Sequence, residues 1–338
     1  MMNILLIGNG FDLSHGLPTS YGDFLDYVMS PNNPKSKEMR ENIWIDGFQN
    51  SRTSLGGNWI DLEAEISLII QTLDLWYKNS TEAAKSNLPA EYKLLFKEIT
   101  SMGYAKPIKN VAAILVNELK QFIDYLDEYL EAVTRLKPEL FSPDIKDLEI
   151  QKVLSFNYTD TFQKIYDKEE KAEYDYIHGK MGQSPNNMVL GINEYLLDES
   201  KNIELDFVQF KKYFQRINKK TGCIYKCWLD ELYDSLENGR GVSECLEAPS
   251  STLPTLNIYV YGHSLDLSDK DILEELLMYE NSYTTIFYHN DEAYTDQVIN
   301  LIKVIGQDNL TKFVHGAHPK IKFQRQQEMI SGKKDTLS

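Results

Sequence analysis

The apolar run Asn3 to Ile7 stops abruptly at Gly8-Asn9-Gly10-Phe11-Asp12. A short, continuously apolar segment ending in two glycines reads as a strand buried on both faces that stops where the backbone must turn tightly. Burial on both faces requires helices above and below, which points to the α/β class.

The rest of the chain supplies those helices and further strands. From Tyr21 to about Pro143 the spacing is helical, with apolar residues at Leu62, Ile66, Ile69, Ile70 and Leu73 and again at Leu115, Leu119, Phe122, Leu126 and Leu130, punctuated by Pro89, Pro107 and Pro138. Strand candidates rich in aromatic or β-branched residues follow at Lys152 to Phe156, Tyr174 to Ile177 and Met188 to Ile192. A second helical stretch covers roughly 203–236. Leu256 to Tyr261 and Thr284 to Tyr288 then read as strands flanking a helix around Asp269 to Tyr279, and a last helix runs from Ala293 to Ile305. This alternation predicts a doubly wound, mostly parallel Rossmann-type sheet with a large helical insertion. The α/β core is expected over 1–20 and 150–325, the insertion over 21–149 and a polar tail over 326–338. Ligands of such sheets bind outside the carboxyl ends of the strands.

Charge and composition exclude several functions. A formal net charge of −16 opposes sequence-independent binding to DNA or RNA. The local run Lys211, Lys212, Lys219 and Lys220 is read as a solvated helix face. No apolar run approaches the ~20 residues of a membrane span, and the first residues lack a basic n-region and a cleavage site, so a cytoplasmic protein without a membrane partner is expected. Cys223, Cys227 and Cys245 are too few for a four-thiolate zinc site and are read as reduced thiols. His315 and His318, near His289, have H-x-x-H spacing without an acidic ligand, and no metal is expected.

Candidate chemistry gathers at predicted strand ends. Gly8, Asn9 and Gly10, followed by Gly16-Leu17-Pro18-Thr19, could bring backbone N–H groups against a pyrophosphate. A branched side chain at Gly10 would then obstruct the ligand and weaken binding more than it lowers stability. Asn157 ends the next strand and His178, followed by Gly179, ends another. An imidazole with an intrinsic pKa of ~6.5 suits a general base. Tyr261-Gly262-His263-Ser264-Leu265 forms a further strand-end loop in which Ser264 could donate to ribose or phosphate oxygens. Ser268 with Asp271 reads as a capping box for the next helix, leaving Asp269 and Asp271 structural roles.

Together LLIGNGFDLSHGLPTSYGDF, NWIDLE, VLSFNYTDTF with a following IHG, and VYGHSLDLSDKDI resemble the bacteriophage abortive-infection AbiH family. These blocks span most of the chain in order. AbiH proteins in turn resemble the sirtuin-like superfamily, whose Rossmann-type sheet binds NAD. The resemblance implies that Gly8, Asn9, Gly10, Asp12, Gly16, Pro18 and Thr19 lie at the dinucleotide, with Gly262, Ser264 and Leu265 on the adenosine side. It also implies that Asn157 holds the nicotinamide ribose or the attacking water, and that His178 is the catalytic base. NAD is the implied substrate or ligand, and the implied role is antiphage, with a phage-derived trigger; self-association is left open.

The pattern departs from sirtuins at instructive places. Asp12 stands where their glycine loop has serine, and a carboxylate beside a pyrophosphate is repulsive unless it faces a ribose or caps a helix. The Asp-Phe-Arg after their glycine loop and their zinc-binding cysteine module are missing, which argues against protein deacylation. Trp59, Asp61 and Glu63 belong to the NWIDLE block, where Asn58 reads as an N-cap with Asp61 and Glu63 in the first helical turn. Two functions stay open on these residues, an NAD glycohydrolase and a non-catalytic nucleotide-binding sensor. A nuclease would need a paired-carboxylate metal motif that is not evident.

Overall fold

The computed structural model describes residues 1–54, 61–79, 107–136, 138, 140–240 and 254–331. The chain divides into two compact units, one of Met1–Leu17, Leu136–Lys180 and Thr221–Ser338, the other of Pro18–Arg135 and Met181–Lys220.

In the first unit the strands are β1 (Met2–Ile7), β2 (Leu140–Phe141), β3 (Lys152–Ser155), β4 (Glu173–Tyr176), β5 (Leu256–Tyr261), β6 (Ser282–Tyr288), β7 (Ile321–Arg325) and β8 (Ile330–Ser331). Six of them form one sheet in the order β4-β3-β1-β5-β6-β7, with every neighbouring pair parallel. Counted along the chain this is the 3-2-1-4-5-6 order of a Rossmann-type sheet. The chain winds outward from β1 through β3 to β4, then crosses back to β5 on the other side.

All of β1 is buried, as its uninterrupted apolar run requires. Side-chain alternation sends Ile4 and Leu6 to one face, where they meet Trp228, Ile272, Leu276 and Leu301 from three helices, Ile224–Arg240, Lys270–Leu277 and Asp291–Ile305. Leu5 and Ile7 point to the other face, against Phe11 and Phe162 from the short helices Asn9–Ser14 and Thr161–Ile165. The sheet is therefore wound on both faces. The helix Gln307–Val314 and strand β7 extend the alternation beyond the last helix expected from sequence. Polar residues and an edge position hide β7, because only Ile321 of its five residues is fully buried.

The second unit is helical among its described residues. Ser20 accepts from Asp23 N, and the Asp23 carboxylate accepts from Ser20 N, a capping box that starts the helix Tyr21–Met29. Asp61 caps Leu62–Asn79 by accepting from Ala64 N at 3.0 Å. Leu62, Ile66, Ile69, Ile70 and Leu73 on this helix are all buried, as is the apolar stripe of Ile108–Val133. Trp44 of the helix Ile43–Ser54 donates its indole N–H to Leu115 O at 3.0 Å. Among the described residues no helix is long and apolar enough to cross a membrane.

Two expectations are corrected here. Met188 to Ile192 is buried and apolar but lies in the second unit and joins no sheet, making only an isolated bridge from Ile192 to Lys211. The Gln215 amide replaces a neighbouring strand, accepting from Leu190 N at 3.1 Å and donating to Leu190 O at 2.9 Å. Lys211 and Lys212 are not solvated. Lys211 Nζ lies 2.7 Å from both Glu194 oxygens, and Lys212 Nζ lies 2.7 Å from Glu63 Oε2. The Lys219 ammonium reaches Met188 O, and burial lowers its pKa to about 8.

Lys211 is 1% exposed, so removing its counter-ion strands a charge out of water. Glu194→Ala is expected to cost about 3 kcal/mol in chemical denaturation, and adding Lys211→Met should recover most of the loss. An additive or larger loss in the double variant would show that the ion pair is not what holds this segment.

Candidate functional site

Strands β1, β3, β4 and β5 end in register, Ile7 opposite Ser155 and Tyr261, and Ser155 opposite Tyr176. Gly8, Asn157, His178 and Gly262 therefore lie one or two residues beyond the same carboxyl edge. Gly8 and Gly262 flank the crossover between β1 and β5, where the strand order reverses direction.

The glycines there make contact with protein backbone. Gly8 N donates to Tyr261 O at 3.2 Å and Gly10 N to Gly262 O at 2.9 Å. A Cβ on Gly10 would lie 2.9 Å from both Cα and O of Gly262. Gly262 itself has φ +67°, and a Cβ there would come within 2.1 Å of Phe11 N. The expectation that a side chain at Gly10 would chiefly obstruct a ligand is corrected: it would first collide with the β5 loop.

The helix Asn9–Ser14 carries Asp12 into the interior, fully buried. Thr159 Oγ1 donates to Asp12 Oδ2 at 2.6 Å, and Thr161 Oγ1 donates on to Thr159 Oγ1 at 3.1 Å. Burial pushes the Asp12 carboxyl up to about 6, against the opposing pull of Thr159, Thr161 and Asn157. Asp12 lies inside its helix and does not cap it. Its Oδ1 has no hydrogen-bond partner, and neither polar atom of the Asn157 side chain, 4% exposed, makes a well-formed bond to the protein.

A second polar group lies at the β4 and β5 ends. His178 Nε2 is 3.3 Å from Asp269 Oδ1, and His263 Nε2 is 3.6 Å from Asp269 Oδ2, with all three residues buried. The His178 approach is not aligned as a formed hydrogen bond. His263 Nδ1 accepts from Leu265 N at 2.8 Å, which puts its proton on Nε2, facing the carboxylate. Phe156 packs on both imidazoles, its ring centroid 4.3 Å from that of His263 and 5.7 Å from that of His178. The expected capping box of Ser268 with Asp271 does not form. Asp266 caps this turn instead, accepting from Ser268 N at 2.8 Å, while Ser268 Oγ lies 3.4 Å from Asp269 Oδ2.

The remaining candidates are spread more widely. Asn9 is exposed, and Gly16, at φ +79°, has open space around it. Pro18 and Thr19 belong to the helical unit, where Pro18 O accepts from Tyr129 Oη at 2.7 Å. Ser264 is exposed and its carbonyl accepts from Asn300 Nδ2 at 2.9 Å. Leu265 packs in the core, and its backbone N–H donates to His263 Nδ1 at 2.8 Å. Asn58, Trp59 and Cys245 lie outside the described residues. Asp61 and Glu63 serve structure, as helix cap and as the partner of Lys212.

Sequence reasoning passed over Thr159, Thr161, His263 and Asp269 as site members. It also passed over His15, whose Nδ1 lies 2.6 Å from Phe11 O and whose Nε2 lies 2.7 Å from Tyr166 Oη. Burial lowers the His15 pKa, and with both nitrogens occupied the ring is a neutral structural brace. The two threonines follow Asn157 at alternate positions, a spacing that could have drawn notice.

An α/β protein with a Rossmann-ordered parallel sheet, its buried carboxyl, amide and imidazole groups gathered at the carboxyl edge, is the class this geometry defines. Within that class the chain belongs to the AbiH family: the family model for bacteriophage abortive infection AbiH matches residues 4–289, from β1 to the end of β6. Membership assigns the protein to phage defence by abortive infection. No curated protein matches the sequence.

Two outcomes follow from the edge geometry. Gly10→Ala is expected to cost about 1–3 kcal/mol by overpacking, and Gly262→Ala more because of its positive φ; urea melts rank the two. Asp12 binds its proton more tightly folded than unfolded, so its contribution to stability falls as pH rises from about 4 through about 6, by at most about 3 kcal/mol. Asp12→Asn should accordingly be more stable than wild type at about pH 7.5, with the advantage gone at about pH 4. Equal melting temperatures at both pH values would contradict this account of Asp12.

Proposed function

We propose that this AbiH protein hydrolyses the nicotinamide glycosidic bond of NAD, with Asn157 positioning the ribose or the attacking water and His178 accepting the proton. The observation that carries the reading is Asn157, a primary amide buried at the end of β3 without a well-formed hydrogen bond to the protein. Leaving a buried polar group unsatisfied costs about 1–3 kcal/mol, a cost tolerated where a ligand completes the bonding. The place of the residue, beside the crossover of a 3-2-1-4-5-6 sheet, suits a nucleotide. The strand-end Asn and the His-Gly pair, similar to those of sirtuin-like proteins, suit NAD.

In the reaction the bond between C1′ and the nicotinamide nitrogen breaks and its electron pair leaves with nicotinamide. The ribose carbon passes through an oxocarbenium-like state, water forms the new C1′–O bond, and the proton of that water goes to His178. In an infected cell the output is depletion of NAD, and a phage-derived trigger would license it.

A second reading, a sensor that binds the nucleotide without cleaving it, is favoured by Asp12. Above its raised pKa a buried carboxylate near a pyrophosphate repels it. Incubating purified protein with NAD and following nicotinamide by chromatography separates the two. Under the hydrolase reading Asn157→Ala and His178→Ala each lower turnover by ~10²–10⁴-fold with unchanged expression and secondary structure. Calorimetric binding of NAD without nicotinamide release would establish the sensor. Release at the wild-type rate from His178→Ala would remove the general base from the mechanism.

A further inference from the structure

We propose that Asp269 is a positioning residue for His178, holding the imidazole with its proton on Nε2 and leaving Nδ1 to accept a proton from the reacting water; this rests on the hydrolase reading of His178. Two imidazoles share one carboxylate here. Asp269 Oδ1 is 3.3 Å from His178 Nε2 and Asp269 Oδ2 is 3.6 Å from His263 Nε2. His178 Nε2 is fully buried, so Nδ1 is the ring nitrogen left to meet a ligand.

The elements around the carboxylate fix its direction. Asp269 sits in the turn after β5, where its backbone N–H donates to Asp266 O at 3.2 Å and Asp266 caps the same turn. His263 is braced on both sides. Leu265 N donates to its Nδ1, and Gln297 of the helix Asp291–Ile305 donates Nε2–H to its backbone carbonyl at 3.1 Å. With Nδ1 engaged as acceptor, His263 turns its Nε2–H toward Asp269 Oδ2 at 3.6 Å, beyond hydrogen-bond distance, while Oδ1 lies nearer, 3.3 Å from His178 Nε2. A carboxylate facing one imidazole nitrogen selects the tautomer with the proton on that nitrogen and leaves the opposite nitrogen basic. In this arrangement Asp269 acts on His178 from the Nε2 side of the ring, opposite the nitrogen assigned to the reacting water, and His263 faces its other oxygen.

The test reads the tautomer directly. Long-range ¹H–¹⁵N correlation spectra of ¹⁵N-histidine-labelled protein, with His178 assigned by comparison with His178→Ala, report which nitrogen carries the proton in the neutral ring. The wild type is expected to show His178 with Nε2–H and Nδ1 bare. In Asp269→Asn the amide can donate instead of accepting, and the expected result is a mixed or inverted tautomer. Nicotinamide release should then fall at least ~10²-fold in kcat with little change in KM. A wild-type His178 protonated on Nδ1 would overturn the proposal, even in a variant series where Asp269→Asn fails to fold. So would an Asp269→Asn protein whose His178 signals match wild type. Wild-type protein that shows the Nε2–H tautomer yet releases no nicotinamide would refute the hydrolase reading and leave the pairing in place. The Nδ1–H tautomer in a protein that cleaves NAD would do the reverse.

Discussion

Two backbone hydrogen bonds, from Gly8 N to Tyr261 O and from Gly10 N to Gly262 O, hold the loop after β1 against the loop after β5. The rest of the edge depends on that contact. It leaves no room for a Cβ at Gly8, Gly10 or Gly262. It also sets where the helix Asn9–Ser14 begins, and so carries Asp12 to Thr159. On the other side it turns the chain at Gly262, so that His263 enters the interior against Phe156 and within reach of Asp269. The glycines here satisfy a steric constraint between two loops of the protein itself. Any nucleotide at this edge meets surfaces that this contact has already shaped.

The groups so placed are costly. A carboxyl without exposed surface, an amide without formed bonds and two imidazoles around one carboxylate occupy volume that apolar side chains would fill more favourably. Elsewhere, β1 is buried on both faces, and in the helical unit the buried Lys211 and Lys212 are paired with carboxylates. Among the described residues, most buried side-chain atoms without a well-formed hydrogen bond belong to residues near this edge, Asp12, Asn157, Asp160, His178 and Asp269, with Gln49 and Gln297 as the others. That is the distribution expected when stability is given up locally for binding or chemistry.

Much of this was legible in the residues. The strands β1, β3, β4, β5 and β6 were visible as apolar or aromatic runs bounded by turn residues, and the helices of the second unit as stripes at three- and four-residue spacing. What misled were segments whose partners are distant. Met188 to Ile192 has the composition of a strand, but the side chain of Gln215 satisfies its backbone. Lys211 and Lys212 resemble a solvated face, yet carboxylates from Glu194 and Glu63 draw them inside. Strand β7 carries an edge strand's polar pattern and so left no apolar signal.

The sequence by itself determined the periodicities, the breaks between them and therefore an α/β chain with Asn157, His178 and Gly262 at strand ends, because side-chain alternation and turn chemistry act over a few residues. Only the tertiary structure decided which polar groups face one another. Asp12 accepts from a threonine 147 positions away, and Asp269, dismissed on local grounds as part of a helix cap, lies between His178 and His263. Such pairings follow from the order of strands in the sheet, and that order is set by long-range packing of whole faces, which no local spacing encodes.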